Sequence, residues 1–156
     1  MELLINCDNA AKHFGRVKAL ENVNFEIEKG QIVGLLGENG SGKTSLLNCI
    51  AGLSHLSSGE IRVNGISTQD CSVKKELAYM PVINFFHPKC TVQNAAATFA
   101  SLFPDFDEKK NTEMLKSLNI SENTEFRSMS SGMLAKAKLA FTLSRDVKLY
   151  LLDEPF

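Results

Sequence analysis

The sequence has no long apolar run. Its most apolar stretch, Leu77 to Phe86, covers ten residues and is broken by Pro81 and Asn84. A membrane-spanning helix needs about 20 apolar residues, so no segment is expected to cross a bilayer. A secretory leader is not expected either, because Leu3-Leu4-Ile5 is short for an h-region and Glu2 sits where positive charge belongs. Charge of one sign is not in excess, with 17 Lys and Arg against 18 Asp and Glu. That balance argues against a nucleic-acid-binding domain, which carries a basic face. Cysteine is sparse, and Cys7, Cys49, Cys71 and Cys90 include no pair at metal-ligand spacing. A zinc site is therefore disfavoured and reduced thiols are expected. No internal repeat or linker-like stretch interrupts the chain.

What is present is the composition of one globular domain. At 156 residues, 44% of them hydrophobic, the chain is long enough for a sizeable core. Val23 to Ile27 alternates apolar and polar residues, the pattern of a half-buried strand. Gln31 to Leu36 (QIVGLL) is nearly continuous and apolar, which predicts a strand buried on both faces. Lys43 to Leu53 carries Leu46, Leu47, Ile50 and Leu53 at helical spacing. Gly59 to Val63 reads as a strand closed by Asn64-Gly65, a strong hairpin signal. Leu77 to Met80 and Lys148 to Leu152 read as further strands. Helices are predicted over Thr91–Leu102, Glu108–Leu118 and Gly132–Leu143. Strands alternating with helices give an α/β class.

Between the second strand and the first helix lies Gly37-Glu38-Asn39-Gly40-Ser41-Gly42-Lys43-Thr44, which fits G-x-x-x-x-G-K-[ST]. Glycines let the backbone curl so that successive N–H groups face one anion. The loop opens a helix, whose first N–H groups and dipole favour phosphate. Lys43 supplies a point charge for β- and γ-phosphates, and the Thr44 hydroxyl is a Mg²⁺ ligand type. The last predicted strand ends in Asp153-Glu154, the strand end at which open α/β sheets bind ligands. Asp153 suits Mg²⁺, and Glu154 suits a general base for an attacking water.

These segments make the chain resemble the ATP-binding cassette (ABC) ATPases along its whole length. Lys12-His13-Phe14-Gly15 and Ala19 to Phe25 look like the family's N-terminal strands. Gly52-Leu53 with Ser57 to Ile61 looks like its AGL…SGEI stretch, and Ser128 to Met133 falls where its signature belongs. The resemblance implies an α/β P-loop NTPase fold with a RecA-type core, an N-terminal antiparallel β subdomain and a helical subdomain at about residues 91–130. It implies ATP and Mg²⁺ as cofactors and ATP hydrolysis coupled to transport. Phosphates fall to residues Gly37 to Thr44 together with Ser45, adenine to a stack on Phe14, and Mg²⁺ to Thr44 and Asp153. Lys43 and Glu154 become the catalytic pair. Ser130, Ser131 and Gly132 would face ATP held by a second nucleotide-binding domain, the same or a different chain. A transmembrane permease would be the other partner, placing the protein on the cytoplasmic face of the membrane. Phe99, Leu102, Phe103 and Phe106 are candidates to face that permease, against the simpler reading that they are helix core. No nucleic-acid partner is expected.

The family pattern is not followed everywhere. Ser131 stands in place of a glycine and Met133 in place of a glutamine, a change that related exporters accept. Val82 stands at the family's Q-loop glutamine, with Asn84 the nearest amide. His13, His55 and His87 all precede Glu154, so none matches the family's switch histidine. In the family a further strand follows the acidic pair and lies between the two strands that carry the lysine and the aspartate. Residues 1–156 are therefore expected to be an incomplete nucleotide-binding domain that lacks its C-terminal part. A catalytically impaired or truncated nucleotide-binding module, or a non-transport cassette ATPase, remains open as an alternative.

Overall fold

The computed structural model describes residues 2–155, which divide at Leu77/Ala78 into two compact units. The first holds an antiparallel sheet of β1 (Leu3–Phe14), β2 (Val17–Glu28), β3 (Ser58–Val63) and β4 (Ile66–Ser67), in the order β2-β1-β3-β4. In β1, Ile5 and Cys7 are buried while Asn6 and Asp8 face out. The alternation then breaks at a bulge, where Asn9 takes φ 48°. Asparagine tolerates this left-handed backbone, and the freed Asn9 N–H donates to Asn24 Oδ1 at 2.7 Å. The extra residue re-phases the strand so that Ala10 and Ala11 both turn inward. Asn64 and Gly65 are both left-handed, as a type I′ hairpin requires, and join β3 to β4.

The helix α1 (Lys43–Ile50) packs on β2 and β3 through buried Leu46, Cys49 and Ile50. It stops before Leu53 because Gly52 turns the chain left-handed at φ 66°. Leu53 is left exposed.

The strand expected at Gln31–Leu36 does not form. Residues 31–38 have no regular secondary structure, and no backbone group of residues 32–36 enters a hydrogen bond among the described residues. Ile32, Val33, Leu35 and Leu36 are all exposed. The apolar run has the right residues, but a strand buried on both faces exists only through its neighbours. Neither sheet supplies one to this segment.

The second unit contains β5 (Leu77–Met80) from its second residue on, paired with β6 (Leu149–Leu152), and the helices α2 (Val92–Leu102), α3 (Glu108–Ser117) and α4 (Ser131–Leu143). Each helix starts at a residue suited to capping. Thr91 accepts from Asn94 N, Asp107 from Lys110 N and Ser130 from Met133 N. The core is aromatic. Phe141 is fully buried among Phe86, Phe99, Phe106 and Phe126, and Phe86 stacks on Phe126 with centroids 3.9 Å apart. Burying each such ring contributes about 1.5–3 kcal/mol. Phe99 and Phe103 are half-buried in this cluster and Phe106 is buried, so the helix-core reading holds for all three. Leu102 is 64% exposed and belongs to no core.

Arg145, just past α4, forms a bidentate pair with Asp105 and lies 4.0 Å from the Phe103 ring centroid. It ties the α2–α3 connection to the end of α4. Asp105→Ala leaves a buried guanidinium without its carboxylate, so stability falls by about 2–3 kcal/mol, less than for a fully buried pair because Asp105 is partly exposed. A lower urea midpoint at unchanged m-value is the expected reading, and an unchanged midpoint would mean that the pair contributes nothing.

Candidate functional site

The glycine-rich loop lies in the first unit. Ser41 N–H donates to the Glu38 carbonyl at 3.2 Å, which closes a tight turn. Gly40 and Gly42 hold φ 83° and 95°. At Gly42 the reason for glycine is double: a Cβ there would overlap the Ala19 carbonyl oxygen of β2 and press on Leu20 Cδ2 at 3.2 Å. This close approach seats the start of α1 against the sheet. Gly42 is also the cap of α1, and it has no side chain to accept from the helix's first N–H groups. The other three helices satisfy theirs with Thr91, Asp107 and Ser130. At α1 the first-turn donors and the positive end of the helix dipole are thus available to an anion. The Lys43 ammonium bends back over the loop and donates to the carbonyls of Gly37 at 2.7 Å and Glu38 at 2.8 Å. Thr44 is exposed and Ser45 half-buried in the helix's first turn.

Phe14 ends β1 beside Gly15 and is 53% exposed, which is not the environment of a core aromatic. Lys12 sits over its ring, with Nζ 4.7 Å from the centroid.

The acidic pair lies in the second unit. Asp153 follows β6 and is only 4% exposed. Its backbone N–H donates to the Met80 carbonyl at 2.9 Å, and its Oδ2 accepts from the Tyr79 hydroxyl at 3.3 Å. Burial, followed by the Asp153 charge and this hydrogen bond, pushes the Tyr79 phenol up to about 12, so it stays a donor. Glu154 is exposed and left-handed at φ 47°, an unusual backbone for a glutamate. The carboxylates therefore differ sharply in environment.

Lys138 was not legible as a site residue. It lies on the inward face of α4 beside Ala137 and Phe141 and is 5% exposed. Its ammonium donates to the carbonyls of Pro81 at 2.5 Å and Val82 at 2.8 Å. Burial depresses its pKa, and the Asp153 charge works in the opposite direction. The clue in the sequence was a lysine in phase with an apolar stripe, a pattern that more often marks a stem lying along the surface. Lys138→Met strands two carbonyls and is expected to lower stability by about 1–2 kcal/mol, read as a lower melting temperature. An equal or higher melting temperature would mean that the desolvation cost of the charge outweighs its bonds.

The signature-like stretch starts α4. The Ser130 hydroxyl accepts from Met133 N at 3.2 Å, and Ser131 and Gly132 are exposed in the first turn. Asn84 is not a spare amide for the Val82 position. Its Oδ1 accepts from Phe86 N at 3.0 Å and its Nδ2 donates to the Phe86 carbonyl at 3.2 Å. The four cysteines are free thiols, and no group of three or more His, Cys, Asp or Glu gathers for a metal among the described residues. No helix there is long and apolar enough to cross a membrane.

A family model described as ABC transporter matches residues 20–156. The chain belongs to the ABC transporter family. The ABC transporter ATP-binding protein YtrB of Bacillus subtilis is 35% identical over 139 residues, which cover 88% of this chain and 48% of that protein. The SkfA peptide export ATP-binding protein SkfE of the same organism is 31% identical, covering 97% of this chain and 66% of that protein. A solved ATP-binding subunit of an ABC transporter superposes with a TM-score of 0.88 at 24% identity, over 98% of this chain and 67% of that one. The chain thus spans about half the length of YtrB and two thirds of the others. The ABC cassette fold is a P-loop NTPase fold, and the antiparallel sheet of the first unit is the β subdomain that the resemblance implied. ABC ATP-binding proteins bind ATP and are ATPases. Proteins named for import and for export both occur among the relatives.

Proposed function

We propose that this chain is the ATP-binding part of an ABC exporter and that it binds Mg-ATP through residues Gly37–Ser45. The observation that carries the reading is the uncapped N-terminus of α1, opened by a left-handed glycine loop and overhung by the Lys43 ammonium. Lys43 can exchange its two carbonyl partners for β- and γ-phosphate oxygens, which are stronger acceptors. Phe14 offers its exposed ring to adenine. Thr44 and Asp153 are hard oxygen donors of the kind Mg²⁺ takes, and Tyr79 holds the Asp153 carboxylate in place. Mg²⁺, when bound, offsets charge on the phosphates. Glu154, solvent-facing and free of side-chain partners among the described residues, takes a proton from the attacking water. Ser130, Ser131 and Gly132 present the start of α4 to ATP on a second cassette. The cassette lies on the inner face of the cell membrane, where a transmembrane permease receives the movement. The export direction is supported by Met133 in the signature.

The domain reading is a single nucleotide-binding domain over 1–156 with a helical part at about 91–130, where α2 and α3 lie. One observation favours a second reading, a binder with weak hydrolysis: Val82 offers no side-chain acceptor, and its backbone carbonyl is already taken by Lys138. A single-turnover assay separates the two. Excess chain is mixed with γ-labelled ATP and Mg²⁺, and bound ATP and released phosphate are both counted. Phosphate released from bound ATP supports the enzyme. Bound ATP that survives many minutes supports the binder, and no bound ATP defeats both.

A further inference from the structure

We propose that Lys12 is a positioning residue for the nucleobase: its ammonium caps one face of the Phe14 ring, so that a base can stack only on the other. The inference rests on the nucleotide reading of the loop and deepens it. Lys12 and Phe14 are two apart on β1 and so share a side of the strand. The Lys12 Nζ lies 4.7 Å from the Phe14 centroid and donates to the His55 carbonyl at 2.6 Å. The ammonium therefore has a fixed backbone partner, unlike a free surface lysine. The neighbouring His13 N–H donates to Ser57 Oγ at 2.9 Å, which ties this end of β1 a second time to the segment after α1.

Lys12 itself is half-buried where it meets the ring. Phe14 is nevertheless 53% exposed, so ring surface is left for a base. A cation on one face draws electron density from the ring and fixes its rotamer, and both effects favour a polar aromatic base on the free face. The platform is thus Lys12, Phe14 and the base in one stack. It suits a purine better than a pyrimidine, because the purine covers more of the ring.

Titration calorimetry of the chain with Mg-ATP and with Mg-tripolyphosphate tests this, since the second ligand has phosphates and no base. Phe14→Ala should weaken ATP by about 5- to 150-fold and leave tripolyphosphate unchanged. Lys12→Met should weaken ATP by about two- to five-fold, also with tripolyphosphate unchanged, and Lys12→Arg should restore the affinity. Unchanged tripolyphosphate binding shows that the fold and the loop survive the substitution. If Lys12→Met binds ATP as well as or better than the wild type while Phe14→Ala weakens it, the capping role is overturned and the lysine blocks the ring or is idle. If ATP gains nothing over tripolyphosphate in the wild type, the platform falls and the loop reading stands. If neither ligand binds, both fall.

Discussion

Lys43→Ala should abolish the stabilisation that Mg-ATP gives the chain. A site that binds only the folded state, at a ligand concentration about 100-fold over its dissociation constant, adds about 2.7 kcal/mol. For a chain of this size that is about 5–10 °C in melting temperature. Lys43 is held over the loop by its bonds to the Gly37 and Glu38 carbonyls. Both bonds are solvent-exposed, so losing them costs little and the unliganded variant should melt within about 2 °C of the wild type. The informative quantity is therefore the shift. A variant that still shifted by the full amount would place the ATP site elsewhere on the chain.

Gly59→Ala is expected to be the most damaging single substitution in the first unit. Gly59 sits at the start of β3 with φ 78°. A Cβ there would overlap the carbonyl carbon and oxygen of Asn9 and lie 2.7 Å from the Ala10 Cα. All three are backbone atoms of the β1 bulge, so no side chain can swing aside. Gly65 provides the control, because its φ is 80° and a Cβ on it would meet nothing within 4 Å. Both variants carry the left-handed penalty of about 1 kcal/mol, while only Gly59→Ala adds the collision. Gly65→Ala should cost about 1 kcal/mol and Gly59→Ala about 3–5 kcal/mol, or about 10 °C. Denaturant melts of the two variants settle it. Equal losses would mean that β3 does not cross the bulge of β1 this closely.

What the sequence made legible, and what it did not, follows the range of the forces involved. The Asn64-Gly65 hairpin and the three helices of the second unit appear within a residue or two of where their spacing puts them. Caps, turn residues and apolar stripes act over a few positions and can be read locally. The loop was legible for the same reason, since left-handed glycines and a lysine at its helical end are local demands. Segment 31–36 was misread because its strand character depends on partners that neither sheet provides. Lys138 escaped because its two acceptors, Pro81 and Val82, are more than fifty residues away in sequence. The Tyr79 hydroxyl on Asp153 is a contact of the same long-range kind. The exposure of Phe14 likewise could not be settled from its position in a strand pattern.

The unpaired segment before the loop also bears on how tightly the loop can bind. Residues 32–36 make no backbone hydrogen bond among the described residues, so the chain entering Gly37 has no ladder to hold it in one conformation. The exit from the loop is different, since α1 is packed on the sheet and Gly42 is wedged against Ala19. An anion would meet a cradle clamped at one rim and loose at the other. Fixing a residue's backbone costs about 1–2 kcal/mol of entropy, so every residue of the loose rim that must settle subtracts from the observed affinity. The apparent dissociation constant then exceeds the intrinsic one by the inverse of the fraction of molecules already in the competent shape. Anything that paired with residues 31–36 would tighten phosphate binding without touching the phosphate.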